Sequence, residues 1–428
     1  MTERKRIYLC LAHMSDEGIE QKYIKEAFDT NWVVPLGPNV NAFEQELERF
    51  VCAGSRFMVN GEPTKRVVAL SAGTAAVHLA LLACGVGPGD EVCVQSFTFC
   101  ASSHPITYLG ATPVFIDSEE DTWNMDPELL EEAIKDRIAK TGKAPKAIIP
   151  VALYGMPYKI DRIMEIADKY GIPVIEDAAE GFGSKYKGQM LGIFGRYGVL
   201  SFNGNKMITT SGGGALITEN EEHWREIMMY ATQYRESYPY YQHEKIGYNY
   251  RMSNICAGIG RGQMTVANDH IAHHKHVQKL YEELLKDVKG VTVHCQPETG
   301  EYDSNYWLCT ITLDPSLKIK GQENAYKTIV TGAVGGAAGV IHAASSATTD
   351  CQPNDNVEAL RVFMDQAQIE ARPVWKPMHK QPVYKDAPAY VNGVSEAVFK
   401  VGMCLPAGPY VSDEDVKYIV ETIKSAIE

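Results

Sequence analysis

Short apolar runs alternate with amphipathic stretches between about residue 66 and residue 260 of this 428-residue chain. The runs are rich in Val, Ile and Leu, and the stretches between them, such as residues 160–170, repeat apolar residues at helical spacing. Continuous apolar strands separated by helices are typical of a buried, mostly parallel sheet. The pattern predicts strands over residues 67–70, 91–96, 112–117, 147–151 and 172–175, and helices over residues 74–84 and 127–140.

The pattern changes after about residue 260. A long polar helix is predicted over Asn268–Lys286, and an α+β region follows it to the C-terminus. Because 428 residues exceed a single typical core, we expect two domains and place their boundary near residues 265–285. The predicted organisation is an N-terminal arm over residues 1–30, a large α/β domain over residues 31–270 and a smaller α+β domain over residues 271–428.

Two segments of the second half have alternative interpretations. His270, His273, His274 and His276 lie on the predicted long helix, where residues 270 and 274 share a face that could bind a metal ion. No third ligand type stands out nearby, so we interpret the cluster as a solvated helix face and predict no metal site. Residues 328–349 carry no charged side chain, but they are mainly Gly, Ala, Ser and Thr. A small-residue surface insertion over about 328–356 is favoured there over a membrane span.

Charge and cysteine usage limit the partners of the chain. The net charge of −13 argues against nucleic-acid binding, because no basic excess exists to neutralise phosphates. Any phosphorylated ligand must therefore be held by local groups. The ten cysteines are scattered without a CxxC pair, which fits reduced thiols in a cytoplasm. We expect a cytoplasmic protein with neither a nucleic-acid nor a membrane partner.

Three motifs supply candidate chemistry. Lys206 lies between a Ser/Asn-rich strand end and a Gly run, Asp177 ends an apolar strand, and residues 71–76 form a small-residue turn that opens a helix. Ligands of parallel sheets bind at the carboxyl ends of the strands, so we expect these motifs to meet there. An amine, a carboxylate and an anion cradle are the parts that hold pyridoxal phosphate (PLP).

Each residue type suits one part of this cofactor. Lys206 would carry it as an imine and later shuttle the proton of the substrate carbon. Asp177 would pair with the ring nitrogen and keep it protonated, which makes the ring an electron sink. Its neighbour Glu176 should point to the opposite face of the strand.

The phosphate and the ring face need further groups. Gly73 and Thr74 would offer donors to the phosphate at a helix start, and Ser201 could add a hydroxyl. Phe99 follows a strand and could stack on the ring, although a packed core aromatic is the alternative.

The motifs carry a resemblance to a known family. Eight stretches resemble the DegT/StrS family of nucleotide-sugar aminotransferases, and together they span the chain from about residue 30 to its end. They are Ser71–Ala76, Gly110–Asp117, Pro150–Gly155, Ile175–Ser184, Ser201–Gly214, Gly247–Gly260, Arg372–Pro382 and Cys404–Val411. The resemblance implies a fold type I PLP-dependent transferase, with a mostly parallel seven-stranded sheet in the large domain.

The resemblance also implies site residues. Glu180 takes the position beside the ring hydroxyl of the cofactor, and the loop 247–254 resembles the segment that reaches the phosphate of a neighbouring subunit through Asn249. A homodimer with shared active sites is therefore expected. Trp32, Tyr154, Trp375 and His379 match segments that line the sugar-nucleotide cleft, and a packed turn is the alternative for the last two.

The implied reaction transfers an amino group from L-glutamate to a 4-keto-6-deoxy nucleotide sugar. Residues 203–206 and 241–244 look closest to the subgroup that acts on UDP-linked N-acetylated sugars for surface glycans or glycoproteins. An aminotransferase for a dTDP- or GDP-linked 3- or 4-keto sugar is the alternative. A sugar dehydratase of the same family typically has histidine in place of the lysine, so Lys206 argues against it. A non-catalytic regulatory protein would need no electron sink, and no GxGxxG motif supports a dinucleotide-binding dehydrogenase.

Overall fold

The computed structural model describes residues 5–326 and 351–428. Within them the helices are α1 (Ile19–Asp29), α2 (Pro38–Cys52), α3 (Gly73–Ala83), α4 (His104–Tyr108), α5 (Pro127–Thr141), α6 (Ile160–Tyr170), α7 (Glu221–Ala231), α8 (Asn254–Met264), α9 (Ala267–Leu285), α10 (Asp355–Gln366), α11 (Val394–Val401) and α12 (Asp413–Ala426). The strands are β1 (Met58–Val59), β2 (Glu62–Pro63), β3 (Arg66–Leu70), β4 (Glu91–Gln95), β5 (Thr112–Ile116), β6 (Ala147–Ile149), β7 (Ile175–Asp177), β8 (Lys185–Tyr186), β9 (Gln189–Met190), β10 (Tyr197–Ser201), β11 (Gly214–Thr218), β12 (Val291–Val293), β13 (Tyr302–Asp303), β14 (Cys309–Leu313), β15 (Arg372–Pro373), β16 (Ala389–Tyr390) and β17 (Gly402–Leu405).

A large, mostly parallel sheet forms the centre of the molecule. Its two four-stranded parts have the orders β3-β11-β10-β7 and β16-β5-β4-β6. Parallel bridges from Ile148 to Val174 and from Val151 to Asp177 join β6 to β7. Among these strands, β11 runs in the direction opposite to that of all the others. The prediction of an α/β fold with a mostly parallel sheet is confirmed, with the two-residue β16 added to the edge beyond β5.

The other edge strand, β3, is covered by a helix rather than left open. The backbone N–H of Val67 donates to Glu48 Oε1 at 3.0 Å, and that of Ala69 donates to Glu44 Oε1 at 2.7 Å. Both carboxylates come from α2 and are buried. Because the outward N–H groups already have acceptors, this edge offers little for another strand to pair with.

A second hydrophobic core lies in the C-terminal half. The antiparallel sheet β12-β14-β17-β15 packs with α9, α10 and α12 around Tyr281, Leu360 and Ile419, which are fully or almost fully buried. This matches the α+β pattern expected after residue 260. The exact domain boundaries stay a prediction, and β16, from the predicted small domain, pairs with the large sheet.

The interpretation of the histidines as a solvated helix face is wrong for two of them. His270 and His274 are buried, and their Nδ1 atoms lie 3.2 Å from the carbonyl oxygens of Met207 and Tyr306. The reason is that the face that they share packs against the backbone of Met207 and Tyr306, which covers both imidazole rings. Burial lowers the pKa of His274 to about 3. The described residues hold no group of three His, Cys, Asp or Glu side chains arranged for a metal ion.

Most of the predicted insertion at 328–356 lies outside the described residues. In the first half of the chain, the loop that connects α2 to β3 contains the β1–β2 hairpin. Among the described helices, none is both long and apolar enough to cross a membrane.

Candidate active site

A cavity of about 360 Å³ opens where β7 and β10 end and α3 begins. It lies at the carboxyl ends of the parallel strands, where the sequence places the three motifs. Lys206, Asp177, Glu180, Ser201, Gly73, Thr74 and Phe99 all line it. Residues from distant parts of the chain, from Gly73 to Lys206, therefore share one pocket of the size that small ligands occupy.

The start of α3 is open toward this cavity. No side chain caps the helix, and its first turn carries no acidic residue. A Cβ at Gly214 would lie 2.4 Å from the backbone nitrogen of Gly73, so β11 approaches the helix start more closely than any side chain allows. The uncapped N–H groups, with the hydroxyls of Thr74 and Ser201 beside them, form a suitable cradle for a phosphate.

Asp177 is a buried carboxylate at the base of the cavity. Its Oδ2 accepts a hydrogen bond from Ser102 Oγ at 2.6 Å, and its Oδ1 accepts one from the backbone N–H of Ala179 at 3.1 Å. Burial raises the pKa of Asp177, whereas these hydrogen bonds and the charge of Lys206 lower it. A cationic ring N–H as a further partner would offset the cost of burying this charge, so the residues present fit the pyridinium of PLP.

Glu176 faces the other side of β7, as strand alternation requires. Its two oxygens accept hydrogen bonds from the backbone N–H groups of Gly192, Phe194 and Gly195 at 3.1, 2.6 and 2.6 Å. It does not line the cavity. Its contacts are those of a structural carboxylate that holds a turn.

Lys206 extends into the cavity between a carboxylate and an aromatic ring. Its Nζ lies 3.4 Å from Glu180 Oε1 and 4.1 Å from the centroid of the Trp307 ring. Glu180 is buried, and its Oε2 accepts the backbone N–H of Tyr154 at 2.7 Å. The amine is thus enclosed on two sides and remains open toward the space where a carbonyl ligand fits.

Two aromatic residues line the mouth of the cavity. Phe99 is half exposed, at 52%, and its ring centroid lies 5.7 Å from that of Trp375. The open face of Phe99 favours ligand contact over the core alternative. Tyr154 itself does not line the cavity; it is buried, and its hydroxyl accepts the backbone N–H of Trp375 at 2.8 Å. A direct contact of Tyr154 with substrate remains an untested prediction.

Three other predicted residues lie outside this cavity within the single chain. His379 Nδ1 lies 2.6 Å from Ser96 Oγ, in a packed turn. Trp32 is on an exposed segment, where its carbonyl accepts the side-chain amide of Asn254 at 2.9 Å. Asn249 is exposed and pairs with Thr232 through a β-bridge. Their roles stay predictions.

Sequence reasoning missed Ser102 and Trp307. Ser102 lies in the Ser/Thr-rich turn after β4, and the position of that turn at a strand end could have indicated it. Trp307 comes from the segment between β13 and β14, beyond the predicted domain boundary. No local pattern marks it, because its place depends on how the C-terminal half packs on the large sheet.

Comparison with known proteins identifies relatives over nearly the whole chain. The DegT/DnrJ/EryC1/StrS aminotransferase family matches residues 15–328 and 322–424. EpsN of Bacillus subtilis (strain 168), named as a pyridoxal phosphate-dependent aminotransferase, is 42% identical over 423 residues, which are 98% of this chain and 95% of EpsN. A GDP-perosamine synthase of Escherichia coli O157:H7 is 33% identical over 416 residues, 97% of this chain and 98% of that protein.

Solved structures show the same architecture. The crystal structure of a DegT DnrJ EryC1 StrS aminotransferase from Brucella abortus superimposes with a TM-score of 0.79 at 28% identity. The superposition covers 96% of this chain and 95% of that one.

Proposed function

This chain belongs to the DegT/DnrJ/EryC1/StrS aminotransferase family, and from that premise we propose that it aminates a nucleotide-linked keto sugar. It is a PLP-dependent aminotransferase with the fold type I architecture. The proposed reaction moves the amino group of L-glutamate to the 4-keto carbon of a UDP-linked 4-keto-6-deoxy, N-acetylated sugar. The product would serve surface glycan or glycoprotein synthesis.

One observation carries the proposal: Lys206, Asp177 and the uncapped start of α3 meet in a single cavity. We propose that Gly73, Thr74 and Ser201 hold the cofactor phosphate, Asp177 its ring nitrogen, Glu180 the region of its ring hydroxyl and Phe99 its face. Lys206 would hold its carbonyl carbon. When bound, PLP supplies an electron sink and a temporary acceptor for the amino group.

The side chains of the protein have separate tasks in the transfer. Ser102 and the N–H of Ala179 orient the carboxylate of Asp177, so that its charge stays directed at one point of the cavity. The Nζ of Lys206 removes and returns the proton of the carbon that gains or loses the amino group. Trp307 and Glu180 exclude water from two sides of that amine.

The surroundings of the cavity suit a bulky anionic substrate. A neighbouring groove of about 390 Å³ shares Phe99 and Trp375 with the cavity and is also lined by His104 and Lys376. Aromatic faces stack on sugars and bases, and Lys376 provides a local cation in a chain of charge −13. The groove therefore has room and charge for a nucleotide diphosphate attached to the sugar.

Two relatives have names that specify a different nucleotide or a different ketone position. One relative is named as a synthase of a GDP-linked sugar. Another is a UDP-2-acetamido-2-deoxy-3-oxo-D-glucuronate aminotransferase of Pseudomonas aeruginosa, 37% identical over 254 residues. A GDP-linked or a 3-keto substrate is accordingly the alternative.

We also propose that the protein acts as a homodimer with shared sites. Trp32, Val33, Val34 and Leu36 expose between 38% and 54% of their surface in one short segment. Contiguous exposed apolar surface of this kind marks interaction sites. A two-fold axis would let the exposed Asn249 of each subunit complete the phosphate cradle of the other. The ten cysteines are scattered along the chain without a CxxC pair, which favours a reducing compartment, and we propose the cytoplasm.

The substrate assignment is tested with a panel of keto sugars. Glutamate-dependent amination is measured for dTDP-, UDP- and GDP-linked 4-keto sugars and for a 3-keto sugar, with Lys206→Ala as the inactive control. The UDP-linked 4-keto-6-deoxy N-acetylated sugar should be aminated at the highest kcat/KM. Amination of the 3-keto sugar alone would show that the proposed position of transfer is wrong.

A further inference from the structure

We propose that Trp307 is a positioning residue that aims the amine of Lys206 into the cavity. The inference rests on the proposed role of Lys206 and extends it to a side chain that comes from the C-terminal half of the chain. Trp307 contacts the amine of Lys206 and the backbone carbonyl of Asn205, and it is itself fixed by a buried hydrogen-bond network. These two properties distinguish it from an aromatic residue that only fills space.

The first property is a pair of contacts, one with Lys206 and one with its neighbour Asn205. The Nζ of Lys206 lies 4.1 Å from the centroid of the Trp307 ring, within the range of a cation–π contact. The indole N–H donates to the carbonyl oxygen of Asn205 at 2.7 Å. Asn205 directly precedes Lys206, so one side chain holds both the backbone next to the lysine and its terminal amine.

The second property is the way in which Trp307 is held. Its backbone N–H donates to Asn305 Oδ1 at 2.8 Å, and Asn305 is fully buried. The side-chain amide of Asn305 donates to the carbonyl oxygens of Glu180 and Phe182, each at 2.9 Å. Asn305 thus fixes Trp307 on one side of the amine and the backbone of Glu180 on the other.

This arrangement matters because lysine has a long side chain. Four rotatable bonds lead to Nζ, and an unrestrained amine would sample many positions. During transfer the same amine must repeatedly release the ligand and return to one carbon atom. Misplacement of a reacting group by about 1 Å costs about 100-fold in rate. The ring of Trp307 and the carboxylate of Glu180 restrict the amine on two sides, and Lys206 lines the cavity on its open side.

The experiment compares two substitutions of Trp307 with a matched control. Trp307→Phe keeps an aromatic face but loses the bond to Asn205, and Trp307→Leu loses both contacts. The control is Trp123→Phe, because Trp123 is also a buried tryptophan but stacks on His294, outside the cavity of Lys206. Each full-length protein is loaded with PLP, and its thermal unfolding midpoint is recorded as a check of folding.

Two readouts report on the position of the amine without turnover. They are the induced circular dichroism of the visible cofactor band and the rate at which borohydride fixes the cofactor to Lys206. In addition, the glutamate half-reaction, followed over a range of glutamate concentrations, gives its limiting rate and the dissociation constant of glutamate separately. We expect the limiting rate to fall about tenfold in Trp307→Phe and about 100-fold in Trp307→Leu, with the dissociation constant within about twofold. The dichroism should weaken in the same order, and Trp123→Phe should match the wild type.

The results that would overturn the proposal are equally specific. An unchanged dichroism band and a half-reaction rate within about twofold of wild type in Trp307→Phe and Trp307→Leu would show that Trp307 only fills space. Equal losses in Trp123→Phe would point to a general effect on folding and also contradict the proposal. If Trp307→Leu does not fold, Trp307→Phe decides alone. These readouts use no sugar, so a failure of the keto-sugar panel would not affect the proposal about Trp307. Fixation of the cofactor to a lysine other than Lys206 would overturn both this proposal and the proposed role of Lys206.

Discussion

Exchanging Asp177 and, separately, Glu176 for their amides distinguishes a carboxylate that serves the cofactor from one that serves the fold. The two residues are adjacent on β7 and both are buried. Asp177 faces the cavity and accepts two hydrogen bonds, whereas Glu176 faces a turn and accepts three from backbone N–H groups. The two amide variants should therefore fail in different ways.

Asp177→Asn should impair activity far more than stability. The amide oxygen can still accept a hydrogen bond, and Ser102 can reorient its hydroxyl, so the fold loses little. The lost interaction is that of a full charge with a cationic ring nitrogen, and hydrogen bonds to charged groups contribute about 1.5–3 kcal/mol. At 1.36 kcal/mol per factor of ten, this bond alone corresponds to about 10- to 150-fold in rate. Loss of the ring proton should add to it, so we expect the rate of the glutamate half-reaction to fall at least about 100-fold.

Glu176→Gln should have the opposite effect. Its amide group presents N–H donors where the turn offers N–H donors, so at least one backbone N–H among Gly192, Phe194 and Gly195 loses its acceptor. An unsatisfied buried donor costs about 1–3 kcal/mol in the free energy of unfolding. The rate of the glutamate half-reaction should stay within about threefold of wild type, because this side chain does not line the cavity.

The assay is the glutamate half-reaction, followed at the cofactor band, together with denaturant unfolding of the same holoenzymes. The reasoning is refuted if both variants lose activity equally, or if Glu176→Gln loses more activity than Asp177→Asn.

Three further outcomes follow from the geometry. In Gly214→Ala the new Cβ would lie 2.4 Å from the nitrogen of Gly73, so this variant should bind PLP more weakly and lose about 1–3 kcal/mol of stability. Gly87→Ala is the control, because open space surrounds that position, and it should match the wild type in a titration of the cofactor band. The folded pKa of His274, about 3, is below its usual 6.5, so the unfolded chain binds a proton first as pH falls. This histidine alone should lower the free energy of unfolding by about 1.4 kcal/mol per pH unit between about pH 6.5 and about pH 3. His274→Gln should therefore make the pH slope, measured by urea unfolding, shallower by about one proton. Mixing inactive Lys206→Ala with inactive Asn249→Ala subunits should restore about a quarter of the wild-type activity, since half of the dimers then hold one intact site. No recovery after verified subunit exchange would show that the loop 247–254 serves its own chain.

The features that depend on local pattern could be predicted from the sequence. The predicted helices differ from α3, α5 and α9 by about one residue at either end. Strand alternation separated Asp177 from Glu176, and the strand ends brought Lys206, Ser201 and Gly73 together. These features follow from periods of two and 3.6 residues and from the rule that ligands bind at the carboxyl ends of parallel strands.

The features that depend on distant packing could not be predicted. Whether His270 and His274 are exposed depends on which elements cover both sides of α9. Trp307 reaches the cavity only because Asn305 bonds to the backbone of Glu180 and Phe182 across more than 120 residues. Neither relation leaves a local trace in the sequence, since both are set by the way in which the C-terminal half packs on the large sheet.

The most direct test of the account is to identify the residue that carries the cofactor. The protein is loaded with PLP, reduced with borohydride, digested and analysed by mass spectrometry, with Lys206→Ala as the control. We expect the pyridoxyl group on Lys206, in the peptide that contains residues 203–206, and no labelled peptide from the variant. Labelling of another lysine in the wild type, or unchanged labelling of Lys206→Ala, would contradict the central claim.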